Sequence, residues 1–143
     1  MIETPQKTYG SFIVPPGKYY LGDPCYLIED GRLWARWLES CYSDIPANTH
    51  DPFRYGLCRE LPDTDKKIYA FSTMAGDGRY SDQHGNQYSV DSGIIALVPY
   101  DLFSEEKYTP LVNLIEFTDE ALCASRDGIL AFGPYVIDTA LYE

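Results

Sequence analysis

Short runs that alternate apolar and polar positions, each closed by Gly, Pro, Asn or Asp, govern most of this chain and predict β-strands. Ser11-Phe12-Ile13-Val14 reads as a first strand and Pro15-Pro16-Gly17 as a turn. Lys18-Tyr19-Tyr20-Leu21 then reads as a second strand, antiparallel to the first in a hairpin-like unit. Lys67 to Thr73 alternates in the same way, and Gly76-Asp77-Gly78 ends that run. Gln83-His84-Gly85-Asn86 has the composition of a hairpin tip, because Gly and Asn accept positive φ. Gly93 to Val98 is almost wholly apolar and stops at Pro99, the pattern of a central strand buried on both faces. A short helical turn is expected near Asp101 to Lys107, a strand from Leu111 to Phe117, and a brief helix or turn at Thr118-Asp119-Glu120. Asp127-Gly128 predicts a hairpin between Leu122–Ser125 and Ile129–Phe132, and Tyr135-Val136-Ile137 a last short strand.

One segment changes period. From Gly31 to Cys41, Leu33, Trp34, Trp37, Leu38 and Cys41 recur at three- and four-residue intervals, which predicts an amphipathic helix with Asp30 as its N-cap. Its two tryptophans suit a plug over one face of a sheet, with a pocket wall as the other role open to them. Between Tyr42 and Asp65 the pattern breaks at Pro46, Pro52, Gly56 and Pro62. That stretch reads as a long irregular connection holding one strand around Tyr55 to Glu60. The expected fold class is therefore α+β, mainly antiparallel β: one β-rich domain over residues 1–143 with one main amphipathic helix packed on the sheet.

Composition narrows the picture. The chain has 143 residues, enough for a core without disulfide staples, and thirteen Tyr, six Phe and two Trp supply rings that favour strands. Its net charge of −11 repels nucleic-acid phosphates and anionic lipid, so neither is expected as a partner. The same charge suits solubility, cations or a basic partner protein. Met1-Ile2-Glu3-Thr4-Pro5 carries no basic start and no long apolar segment, and no apolar run approaches a bilayer's width, so a cytoplasmic location is expected. Cys25, Cys41, Cys58 and Cys123 lack a Cys-x-x-Cys spacing and are expected as buried, reduced thiols. His50 and His84 lie far apart.

Candidate chemistry gathers at three motifs, Gly22-Asp23-Pro24-Cys25-Tyr26, Gly76-Asp77-Gly78-Arg79-Tyr80 and Val90-Asp91-Ser92-Gly93. Each lies beside an expected strand end, so Asp23, Asp77 and Asp91 can converge at one rim of a sheet. Converged carboxylates hold hard cations or act as an acid–base pair, whereas Asp beside Gly or Pro is also what a tight turn requires. Arg79 with Tyr80 suits a phosphate, a carboxylate or a flat ring, or simply an ion pair on an acidic surface. Cys25 is the one cysteine inside a motif, but Asp23 beside it would raise its pKa and oppose nucleophilic use. No phosphate-cradling glycine loop, calcium loop or serine-hydrolase elbow is present, and no cofactor is expected. The candidate ligand-binding set is Asp23, Cys25, Asp77, Arg79, Tyr80 and Asp91, with no catalytic residue assigned and any metal unknown.

These motifs, in this order from Leu21 through Trp34 and Trp37 to Tyr88-Ser89-Val90-Asp91-Ser92-Gly93-Ile94-Ile95-Ala96-Leu97-Val98-Pro99, resemble an uncharacterised family of small proteins from bacteria and their phages. The resemblance covers roughly Tyr19 to Pro99 and implies a cytoplasmic protein of bacterial or phage origin. It brings no established activity and transfers no catalytic residue. The functional expectation is a small acidic binding protein, in the phage setting an inhibitor of a host protein, and an enzyme is the less favoured class. On that expectation, charge reversal around Asp63, Asp65, Glu105 and Glu106 weakens the complex. The alternative is a small-molecule or divalent-metal site at the Gly-Asp motifs, with hydrolysis as the chemistry it would support.

Overall fold

A computed structural model describes residues 9–43, 51–103 and 112–140 of the chain. In chain order its elements are β1 (Tyr9–Val14), β2 (Gly17–Gly22), α1 (Gly31–Ser43), β3 (Leu57–Glu60), β4 (Lys67–Ser72), β5 (Gly78–Ser81), β6 (Gln87–Val90), β7 (Ile94–Pro99), β8 (Val112–Phe117), β9 (Ala121–Arg126), β10 (Ile129–Phe132) and β11 (Tyr135–Asp138). Short 3-10 turns at Pro24–Tyr26 and Tyr100–Leu102 follow β2 and β7. All strand pairings are antiparallel. They build a five-stranded sheet ordered β3-β4-β7-β2-β8, a four-stranded sheet ordered β1-β9-β10-β11, and the separate β5-β6 hairpin. The fold is thus β-rich α+β, with α1 packed against antiparallel sheets.

The five-stranded sheet is the middle layer, and its alternation divides the core in two. Tyr19, Leu21, Tyr69, Phe71, Ile95 and Leu97 point to one side, where they meet Cys123, Leu130, Phe132 and Ile137 of the four-stranded sheet. Tyr20, Ile68, Ala70, Ile94, Ala96 and Val98 point to the other side, where Trp37 and Cys41 of α1 cover them together with Phe53. Because both faces are covered, every residue of β7 is buried, as the unbroken apolar run from Gly93 to Val98 foretold. Tyr80, Tyr88 and Val90 of the β5-β6 hairpin enter the core between the sheets, and a bridge from Asp82 to Ile137 ties the hairpin to β11.

The helix starts where Asp30 Oδ1 accepts hydrogen bonds from the backbone N–H of Arg32 at 2.9 Å and Leu33 at 3.3 Å. Asp127 and Gly128 both take positive φ, 52° and 87°, which is the mirror-image turn that matches the twist of the β9-β10 hairpin. One expectation fails: β1 and β2 are not a hairpin pair. β1 pairs with β9, and β2 pairs with β7 and β8. Pro15-Pro16 carries the chain from one sheet to the other, beside the Thr118-Asp119-Glu120 bend that carries β8 into β9. Of the helical turn expected near Asp101 to Lys107, the structure shows a 3-10 turn at Tyr100–Leu102 that ends at the extended Phe103, and residues 104–107 lie outside the described residues. No helix among the described residues is long and apolar enough to cross a membrane.

Candidate functional site

The Gly-Asp motifs meet at one end of the middle sheet, where β2 leaves and β7 begins. Asp23 N-caps the 3-10 turn and is fully buried. Its Oδ1 accepts from Cys25 N at 2.9 Å and from the Ser92 hydroxyl at 2.6 Å. Its Oδ2 accepts from Asp91 N at 2.7 Å and Ser92 N at 2.8 Å. A buried charge is tolerable when donors surround it in this way, so the carboxylate works as a latch between the β2 exit and the β6-β7 turn. Gly93 completes that turn at φ +73°, a conformation a side chain would strain, and a Cβ added there would stand 3.9 Å from Asp77 Oδ1. The Tyr26 hydroxyl donates to Asp91 Oδ2.

Beside the latch, a cleft of about 530 Å³ opens between α1 and the 91–94 segment. Trp34, Tyr42 and Phe53 wall it with rings, and Asp51 and Asp91 bring carboxylates to it. Trp34 stacks on Trp37 at 5.5 Å, and Trp37 on Phe53 at 5.6 Å, so the wall is continuous with the core. Trp37 is the plug, its indole N–H bonded to Arg59 O, whereas the half-buried Trp34 faces the cleft. Asp51 Oδ1 accepts from Phe53 N at 2.9 Å, fixing the turn that sets Phe53 in place. Among the described residues no basic side chain lines this cleft.

Cys25 also lines the cleft. Burial pushes its thiol up to about 12, helped by the hydrogen bond and charge of Asp23 and by the charges of Asp91 and Asp77. It is therefore a protonated thiol at neutral pH and a poor nucleophile. Asp23, Cys25, Asp77 and Asp91 come together, but the other two predicted residues do not join them. Tyr80 is buried in the core between the sheets, its hydroxyl bonded to Gly76 O at 2.6 Å. Arg79 points the opposite way from β5, to solvent. Among the described residues no group of His, Cys, Asp and Glu is arranged to hold a metal ion.

Not every thiol is buried. Cys41 and Cys123 are, whereas Cys58 is exposed because β3 is an edge strand that points it outward. His84 packs edge-on against Tyr135, and His50 lies outside the described residues. Sequence reasoning passed over Asp51, Tyr42 and Phe53 as cleft residues; an Asp-Pro pair signals only a turn. It also passed over Asp82, a second buried carboxylate. Asp82 accepts from His84 N, Asn86 N, Asn86 Nδ2 and the Tyr88 hydroxyl, at 2.8 to 3.0 Å. Burial alone would raise its pKa, but these donors outweigh burial and hold it below the ordinary value.

Comparison with protein-family models, with curated proteins and with solved structures found no match to this chain.

Proposed function

We propose that this chain is a non-enzymatic binding protein that takes a basic side chain of another protein into the ring-walled cleft. The observation that carries the reading is the lining of that cleft: rings of Trp34, Tyr42 and Phe53 beside the carboxylates of Asp51 and Asp91. Ring faces attract ammonium and guanidinium groups, and a carboxylate gives such a cation a charge-assisted hydrogen bond. The net charge of −11 adds long-range attraction for a basic partner and speeds encounter. The protonated Cys25 thiol supports recognition rather than nucleophilic chemistry at this place. On the resemblance to bacterial and phage proteins, the setting is the cytoplasm and the partner a host protein that the complex inhibits.

The acidic tip expected to steer that partner is partly engaged within the chain. Asp63 pairs with Arg36 at 2.9 Å, while Glu105 and Glu106 lie outside the described residues. The cleft is therefore the sharper place to test. Titration with a short arginine-rich peptide, followed by tryptophan fluorescence and calorimetry, should show saturable binding that is weakened by added salt. Asp51→Asn and Trp34→Ala should each weaken it about tenfold, the loss of one charged or cation–ring contact. Equal binding to both variants and the unaltered chain would refute the assignment.

The alternative reading, a small molecule or divalent cation at the Gly-Asp motifs, draws on the approach of Asp77 and Asp91 to the mouth of the cleft. Asp23 is taken up by its own turn and has little left to offer a ligand. A thermal shift with a divalent cation that vanishes in Asp77→Asn would favour this alternative over the basic-partner reading.

A further inference from the structure

The outer face of the four-stranded sheet carries no covering layer among the described residues, and the strand registers lay out what it presents. Arg126, Ile129 and Asp138 form one cross-strand row; Ser11, Ala124, Ala131 and Val136 form the next; Ile13 and Leu122 form the third. Ile13 is 60% exposed and Leu122 62%, and Ile129 and Val136 are also open. Contiguous apolar area of this kind on a charged surface marks a contact face. The charge on these rows is balanced, one Arg and one Asp, on a chain whose net charge is −11.

We propose that this face joins two copies of the chain about a two-fold axis running along β10. Such an axis exchanges β9 of one copy with β11 of the other while leaving the strand direction unchanged. Arg126 then meets Asp138 of the second copy, and Asp138 meets Arg126, so both charges are answered by the same operation. In the next row the projecting Val136 meets the small Ala124, and Ala131 lies over its own counterpart. Leu122 meets Pro134, while Ile13 on β1 lies outside the overlap because the sheet ends at β11. The hollow floored by Leu122, Ala124, Ala131, Gly133 and Pro134, with Glu116, Asp119 and Glu120 at its far end, is what receives the side chain of Val136. In the Arg126–Asp138 row charge is self-complementary, and in the Ala124–Val136 row size is, under one symmetry operation, which is the requirement of an isologous interface. The geometry is that of two aligned sheets packed face to face about 10 Å apart.

Strand spacing and rise give an overlap on the order of 400 Å² per copy, against about 800 Å² for a standard stable interface. The dimer is therefore weak and reversible. Sedimentation velocity from about 10 µM to about 1 mM should show a monomer giving way to a dimer, as a midrange dissociation constant requires. Arg126→Asp and Asp138→Arg should each weaken the dimer at least about tenfold, because symmetry breaks two pairs at once. The doubly exchanged Arg126→Asp/Asp138→Arg chain should recover it to within about threefold, since the pairs re-form with their signs reversed. Val136→Asp should abolish it, and thermal unfolding of each variant checks that the fold persists. A monomer at every concentration would overturn the proposal and leave the face to a different protein. Dimers that ignore both single reversals, or a double exchange that fails to restore association, would overturn the two-fold arrangement.

Discussion

At the scale of single residues, two buried carboxylates hold turns that nothing else would hold. Asp23 answers three backbone N–H groups and one hydroxyl. Asp23→Ala leaves those donors without a partner in a buried place and should cost about 3 kcal/mol. Asp23→Asn should cost nearly as much, because its NH₂ faces donors that it cannot answer. Urea unfolding of the two variants checks this, and a midpoint equal to that of the unaltered chain would remove the latch. Asp82 allows a test by pH. Its folded pKa lies below the ordinary carboxylate value, with burial opposing and the hydrogen bonds of Asn86, Tyr88 and His84 prevailing. A carboxylate depressed in this way stabilises the fold above about pH 4 and loses that contribution as pH falls through the folded pKa. Stability should therefore drop below about pH 4, and Asp82→Asn should flatten that acid limb while lowering stability at neutral pH. An unchanged acid limb in the variant would show that Asp82 does not govern it.

At the scale of elements, α1 divides its labour between two neighbouring tryptophans. Trp37 is fully buried and stacks on Phe53, so Trp37→Ala should cost about 3 to 5 kcal/mol. Trp34 is half-buried, and Trp34→Ala should cost about 1 kcal/mol while damaging the cleft. Comparable losses of stability in urea would mean that both tryptophans serve the core and would weaken the functional reading of the cleft. This division also shows how far the sequence was legible. The period of Leu33, Trp34, Trp37, Leu38 and Cys41 gives the helix and its buried stripe, but a stripe does not say which of two rings lies at its edge. Strand positions were legible from alternation, and the place of β7 in the middle of its sheet from its unbroken apolar run. Strand partners were not: β1 and β2 look like a hairpin locally, and only the match with β9 and β8 far along the chain sets them in separate sheets. For the candidate site, the strand-end places of Asp23, Asp77 and Asp91 made their convergence at one corner of the sheet legible. Their chemistry was less legible, because burial makes Asp23 a turn-holder and Tyr80 a core residue, and burial depends on the whole packing.

At the scale of the molecule, the acid excess is the feature with the longest reach. On the proposed function the acid excess draws basic groups from a distance and the cleft gives them an end point; binding of a basic peptide should then weaken about tenfold between about 0.05 and 0.3 M salt. Binding that is insensitive to salt would rule out that mode of recognition. The long-range pairing of the first two strands has a consequence for how the chain is made. β1 finds its partner in β9, and β2 needs both β7 and β8. On a ribosome adding about 5 to 20 residues each second, Phe12, Val14, Tyr19 and Leu21 emerge roughly 5 to 20 s before their partner strands exist. Through that interval the N-terminal strands are apolar segments with open edges, bound to meet a chaperone, a neighbouring nascent chain or nothing at all. Only β8 and β9, made near the close of synthesis, end the wait.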